Sequence, residues 1–446
     1  MGVTEDLADF IVSVGYEDLP NEVVERAKLC ILDWLGAALA GSLEPPANIV
    51  TSIIKEAGGR EESTIIGMGV KTFCVNAALA NGVLGHTVEL DDVHEEAIIH
   101  PAAPVLPAAL AVAERVNASG RDLIVSVVLG YDVEIRIGKA VNPSHYRFWH
   151  PTGTCGTFGA TAAAGKILGL NGEEMVHALG IAGTQAAGLI EVFGTMSKPL
   201  NPGRAAENGV WAALLAQKGF TSTRRILEAE RGYCRATSKD FDPGKITEKL
   251  GEKFEIVNNV FKVHASCGHT HGAIDAALLL SKEYNVKPED IERVVVKTYP
   301  IAVDVVGRNY EPKTASEAKF SLPYCLAVTL VYGRVGLTEF SKEKLNDPKV
   351  RELSRKVTVT TDPEYVNVRL GSAKVVLYTI DGGRFECRVD TPKGYPENPV
   401  TEADLERKFI ELASLVLPGE RVRRIIEAVK GLEGLERITA LTDLLR

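Results

Sequence analysis

From residue 1 to about 265, apolar residues recur at helical spacing, in runs rich in alanine and glycine that end at proline- or glycine-rich joints. A period of 3.6 cannot supply the two-residue alternation of a half-buried strand, so this stretch is limited to packed helices. Pro20-Asn21 opens the run EVVERAKLCILDWLGAALAG, which stops at Gly41, a residue suited to a helix end. Further helices are predicted near 46–57, 72–86, 102–116, 121–139, 155–169, 172–188 and 203–218. Only 6% of residues are aromatic, so small side chains that let backbones approach must carry much of the packing.

After residue 270 the character changes. IERVVVKTY (291–299) and AKVVLYTIDGGRFECRVD (373–390) alternate or run apolar with β-branched residues, and Asp381-Gly382-Gly383 is a hairpin signal. Helical stretches near 271–283, 316–331 and 342–355 intervene, and from about 401 the helical pattern returns. At 446 residues the chain exceeds one ordinary core. The expected fold class is multi-domain α plus α+β. A large all-helical domain covers 1–268, an inserted smaller α+β domain 269–399, and C-terminal helices over 400–446 return to the helical domain.

The formal net charge is −9, and no basic stripe is interleaved with aromatics, which argues against nucleic acid as a partner. An anionic ligand would need a local basic pocket, which an acidic protein can offer because exposed charges beyond roughly 8 Å are screened at physiological salt. The longest apolar stretch, around Leu29 to Ala40, is broken by Asp33 and too short to span a bilayer, so no membrane partner is expected. Seven cysteines with no CxxC pair point to a reducing compartment, and the acidic first residues lack the basic character of a leader; cytoplasm is the expected location.

Eight of the nine histidines fall in three clusters at the joints. His86, His94 and His100 lie in GHTVELDDVHEEAIIHPAAP, His145 and His150 in SHYRFWHPTG, and His264, His269 and His271 in KVHASCGHTHGAID. Imidazole titrates near neutrality, so such clustering suits acid–base work, although a single histidine is more often a surface or hydrogen-bonded core residue. Lys198, in VFGTMSKPLNPGRAA with Arg204 six residues on, suits either a carboxylate-binding point charge or a solvated loop. Tyr324, in SEAKFSLPYCLAV, suits packing or proton donation.

Several motifs fall short of their namesakes. Gly153, Gly156 and Gly159 lack dinucleotide spacing and follow no strand. Gly159 to Lys166 has one residue too many for a phosphate loop, and Ile167 stands where Ser or Thr should follow. His269-Thr-His271 beside Cys267 lacks a second ligand pair, so no metal is expected. Asp91-Asp92-Val93-His94-Glu95 fits the DDxxE pattern of terpenoid synthases, but no second magnesium motif follows.

LDWLGAALAGS (32–42), NAALANGVLGHTVELDDVHEEAIIHPAAPVLPAALAVAE (76–114), FWHPTGTCGTFGATAAAGKILGL (148–170), GTMSKPLNPGRAAENG (194–209), KVHASCGHTHGAIDA (262–276) and SEAKFSLPY (316–324), in this order and spacing, resemble the MmgE/PrpD superfamily. Its members include 2-methylcitrate dehydratase, cis-aconitate decarboxylase and iminodisuccinate epimerase. The resemblance implies a helical domain with an α+β lid, a homodimer, no metal or organic cofactor, and a small polycarboxylate substrate. By motif position it implies catalytic roles for His100, His150, Lys198, His271 and Tyr324, with Glu89, Asp91 and Asp92 beside the substrate; Arg204 is a further candidate for holding a carboxylate. The decarboxylase branch has Asp where this chain has Glu89 and Thr where it has Val93. The implied activity is a cofactor-independent lyase, first a dehydratase of a 2-methylcitrate-like acid. Decarboxylation or epimerisation of a related acid is the alternative, and a non-catalytic carboxylate-binding protein the alternative from another class.

Overall fold

The computed structural model describes residues 2–365 and 368–446. Its helical body is built on α1 (Asn21–Gly41), α2 (Cys74–Thr87), α3 (Ala102–Val116), α4 (Gly120–Val141), α5 (Pro151–Ile167) and α6 (Ser197–Gln217). Almost every residue of α3, α4 and α5, and of α1 from Cys30 on, is buried, on all sides of the helix. Side chains pointing in every direction must then be small, which is what the alanine- and glycine-rich runs supply. Where α2 crosses α6, a Cβ built on Gly82 would lie 2.7 Å from the Gly203 Cα, so the crossing is a backbone-to-backbone contact.

The lid contains α7 (His271–Tyr284), β1 (Ile291–Thr298), α8 (Leu322–Tyr332), β2 (Val357–Thr361), β3 (Ala373–Thr379) and β4 (Arg384–Val389). The sheet order is β2-β1-β3-β4. β1 runs parallel to β2 with Val294 opposite Val357, and antiparallel to β3 with Val296 opposite Val375; β3 and β4 form an antiparallel hairpin. Helices α7 and α8 cover the sheet. The last long elements, α9 (Glu402–Ala413) and Gly419–Lys430, pack back against α1.

Two large apolar cores and a small cluster of Val93, Val260 and Tyr395 result among the described residues. One joins residues between Leu7 and Phe261 to residues from Leu405 onward. The other joins residues 265–377 to Ala37, Ala40, Val88, Leu90 and Leu412 of the helical body. The lid therefore shares its core with the ends of α1 and α2 and is not tethered by a bare linker. Lys408 of α9 strengthens this seam: its Nζ lies 2.7 Å from Asp33 Oδ1 and donates to the backbone carbonyls of Leu90 (2.7 Å) and Lys262 (2.8 Å).

The structure departs from the sequence expectation in local detail. The run near 316–331 breaks into Ala315–Lys319 and α8, because Pro323 favours the first turn of a helix; the Ser321 side chain caps it by accepting from the Tyr324 backbone N–H. The run near 342–355 breaks at Pro348 for the same reason. Helix Val3–Ser13, the short hairpin of Ser63–Ile65 with Val70–Thr72, and strand β2 were not expected. No helix among the described residues is long and apolar enough to cross a membrane.

Because the α2–α6 crossing has no room for a methyl group, Gly82→Ala is expected to lower unfolding free energy by about 1–3 kcal/mol. Gly419→Ala, whose Cβ meets no atom within 4 Å, is the matched control and should leave stability unchanged. Chemical denaturation of the two variants checks this.

Candidate active site

Three histidine- or lysine-proline joints of the helical body converge on one cavity. His150 is extended, the conformation favoured before proline, and caps α5 at Pro151. His100 precedes Pro101 at the start of α3, with its backbone N–H donating to Thr152 Oγ1 at 3.2 Å. Lys198 precedes Pro199 in the first turn of α6. Proline is favoured at helix starts, and these joints place the three side chains at helix amino termini, where the helix dipole favours an anion. The cavity is a narrow cleft whose mouth opens to solvent. Glu89, Ile98, His100, Tyr146, His150, Phe193 and Lys198 line it from the body, and Cys267, Gly268, His269, Phe320 and Leu370 from the lid.

A buried ion triad forms one wall. Lys198 Nζ contacts Glu89 Oε1, and Lys262 Nζ lies 3.2 Å from Glu89 Oε2; all three side chains are buried. Burial alone would raise the Glu89 pKa, but the two ammoniums outweigh it and hold the carboxyl well below its usual range. Burial opposes the charge of Lys262 too, but Glu89 and Asp91 outweigh that and raise its pKa. The Lys198 ammonium also lies 5.1 Å from the Phe320 ring centre and 5.5 Å from that of Phe193. Glu89 has φ of +59° and Ile98 +53°, left-handed conformations that cost of order 1–3 kcal/mol each for such residues. Both line the cavity.

Hydrogen bonds fix the ring nitrogens. His100 Nδ1 is 2.7 Å from the backbone carbonyl of Asp92, which can only accept, so Nδ1 carries the proton and Nε2 keeps a free lone pair. His150 is the reverse: the Asn201 side-chain amide donates to its Nδ1 at 3.1 Å, leaving the proton on Nε2. Burial, reinforced by Lys262 for His100 and by Lys198 for His150, holds both pKa values well below 6.5. At neutral pH the pair is one uncharged base and one uncharged N–H donor.

Behind them, His86 Nδ1 is 2.7 Å from Asp91 Oδ2, which is 3.7 Å from His100 Nδ1. The His86 ring lies 4.8 Å from that of His100 and 5.8 Å from that of His150. Burial would raise the Asp91 pKa, but His86 and His100 outweigh it and pull it down. Asp92 faces the other way, accepting from the Ala102 backbone N–H (3.0 Å), Tyr131 Oη (2.7 Å) and Asn259 Nδ2 (2.5 Å); burial pushes its carboxyl up to about 7. His86, Asp91 and His100 are the one group among the described residues whose ligand atoms could gather on a metal, within 4.8 Å of one another. Of the four ring nitrogens there, the two Nδ1 atoms are already engaged in hydrogen bonds.

Of the residues singled out from sequence, Glu89, His100, His150 and Lys198 meet around the cavity, and Asp91 and Asp92 lie directly behind His100. Three do not reach it. Arg204 is exposed and pairs with Glu207, because six residues along a helix turn a side chain by about 240° from Lys198. His271 opens α7 with its Nε2 toward the Ser266 carbonyl (3.3 Å) and its ring 5.1 Å from that of His264. Tyr324 is packed in α8 and donates to the Glu339 carbonyl at 2.7 Å. His269, Lys262 and Asn201 were missed; for the first two the signal was present, since both belong to the KVHASCGHTH cluster.

Family models describe the MmgE/PrpD N-terminal domain over residues 5–245 and the MmgE/PrpD C-terminal domain over residues 264–433. The human cis-aconitate decarboxylase is 32% identical, spanning all of this chain and 94% of its own length. A cis-aconitate decarboxylase-like protein of Aspergillus oryzae, oryM, is 31% identical over 99% of this chain and 97% of its own. The 2-methylcitrate dehydratase of Salmonella typhimurium is 24% identical over 95% of this chain and 92% of its own.

Glu89→Gln would remove the carboxylate that two buried ammoniums share and is expected to cost about 3–5 kcal/mol. Arg204→Ala, at an exposed pair, should change stability by less than about 0.5 kcal/mol. Thermal melts of both variants separate the two environments.

Proposed function

The chain belongs to the MmgE/PrpD family, and we propose that it is a cofactor-independent lyase that dehydrates a small hydroxy-polycarboxylate of the 2-methylcitrate type. The observation that carries this is the His100–Asp92 carbonyl bond, which leaves an uncharged imidazole with its lone pair toward the cavity. A resting free base suits a reaction that begins by removing a proton. His100 Nε2 takes the proton from the carbon next to a carboxylate, and the C–H electrons pass into that carboxylate. The uncharged His150 Nε2–H meets the developing oxyanion as a hydrogen-bond donor and keeps its own proton, since losing it would require an imidazolate. The hydroxyl on the neighbouring carbon then leaves as water with a proton from Lys198, and the double bond forms. Asp91, 3.7 Å from His100 Nδ1, stabilises the imidazolium that results.

A second reading, decarboxylation of a cis-aconitate-type acid, is favoured by the 31–32% identity to decarboxylases over the whole chain. In it the carbanion left by carbon dioxide takes its proton from the Lys198 ammonium. We further propose a homodimer, since Leu189, Met196, Leu200 and Trp211 expose apolar surface along successive segments, and a cytoplasmic location, since all seven cysteines are unpaired.

Incubation with 2-methylcitrate, citrate and cis-aconitate in deuterated water, followed by NMR with and without EDTA, tests these readings. A new alkene supports dehydration; loss of carbon dioxide replaces it with decarboxylation; deuterium wash-in alone indicates an epimerase; binding without turnover indicates a carboxylate-binding protein. His100→Asn should lower turnover at least about a hundredfold while the protein stays folded. With the His100 pKa well below 6.5, kcat/KM for the proton-abstracting reaction should stay level as pH falls through 6.5 and drop only at more acid pH. A loss centred at pH 6.5 or above would contradict this base assignment.

A further inference from the structure

His269 belongs to the lid, in the turn Gly268–Thr270 that leads into α7, and it lines the cavity although it is only 3% exposed. Its Nδ1 lies 2.6 Å from Tyr299 Oη, at the end of β1. The Tyr299 oxygen accepts from the Gly371 backbone N–H at 2.7 Å, so its own proton goes to His269 Nδ1. That leaves the His269 proton on Nε2, which has no partner among the described residues. Burial, helped by Lys262, lowers the ring's pKa to about 4, so it stays uncharged at neutral pH. The environment thus repeats that of His150 across the cavity: a buried, neutral imidazole whose outer nitrogen is held as an acceptor and whose inner N–H is free.

We propose that His269 is a substrate-binding residue, donating from Nε2 to a carboxylate other than the one beside the reacting carbon, and that Tyr299 is the positioning residue that fixes its tautomer. This rests on the polycarboxylate reading above and extends it. The body supplies the base, one donor and the ammoniums; the lid supplies the contact that reads a second carboxylate. A tricarboxylate spanning both domains would engage it, whereas a monocarboxylate held at Lys198 would not. Tyr299 Oη also holds Gly371, next to the cavity-lining Leu370, so the same hydroxyl shapes the lid's edge.

Calorimetric titration with citrate and with acetate tests this in the full-length protein. For His269→Leu, citrate affinity should fall about ten- to a hundredfold, the range for a hydrogen bond to a charged group, with little change for acetate. His269→Gln, whose amide can donate from a similar reach, should recover much of the citrate affinity. A role in packing alone predicts the opposite order, with Leu tolerated better than Gln. Tyr299→Phe should weaken citrate binding severalfold with His269 still present. In the lyase assay the loss in His269→Leu should fall mainly on KM and not on kcat. Citrate affinity within twofold of wild type in a folded His269→Leu overturns this inference alone; failure of the wild type to bind any di- or tricarboxylate overturns both it and the lyase reading.

Discussion

Glu89 gathers two buried lysines at a single carboxylate. Lys198 and Lys262 come from segments more than sixty residues apart, and their ammoniums meet at one carboxylate that burial would otherwise neutralise. Desolvating three ions costs several kcal/mol each, a cost that mutual attraction offsets only with good geometry. Such a triad is therefore poor evidence of stabilisation for its own sake. The three side chains carry one net positive charge, in a seam where water is scarce and an incoming carboxylate would be felt strongly. The left-handed backbone at Glu89 fits the same picture, with strain held where the site requires a side chain to point.

The histidines depend on that positive wall. Nearby ammoniums, added to burial, keep His100 and His150 uncharged, and uncharged rings have distinct donor and acceptor nitrogens. A carbonyl behind one ring and an amide behind the other then assign opposite roles. An anionic substrate would offset the ammoniums and make protonation of His100 easier as the proton is taken, so substrate charge and base strength are coupled.

Much of this was legible in the chain. Histidines and a lysine placed before proline at helix starts announced side chains at helix amino termini, and the structure brings His100, His150 and Lys198 to a single cavity. The alanine- and glycine-rich runs foretold helices that approach backbone to backbone. What escaped depended on one turn or one face. His269 and His271 are two residues apart, and only the turn at Gly268–Thr270 decides that the first faces the cavity and the second faces Ser266. Arg204 could have been set aside from helix geometry, since six residues place it on a different face from Lys198. Lys262 stood in a cluster the sequence displays, but its pairing with Glu89, 173 residues away, was not legible there. Strand β2 was legible in the alternating β-branched run VTVTT, but it is only five residues long and lies at a sheet edge.

The chemistry turns on which nitrogen of His100 carries the proton. Long-range nitrogen–hydrogen correlation spectra of ¹⁵N-histidine-labelled protein at pH 7, with His100 assigned through its Asn variant, measure this directly. An uncharged ring with hydrogen on Nδ1 and a bare Nε2 is the expected result. A ring protonated on Nε2, or on both nitrogens, would contradict the base from which the mechanism starts.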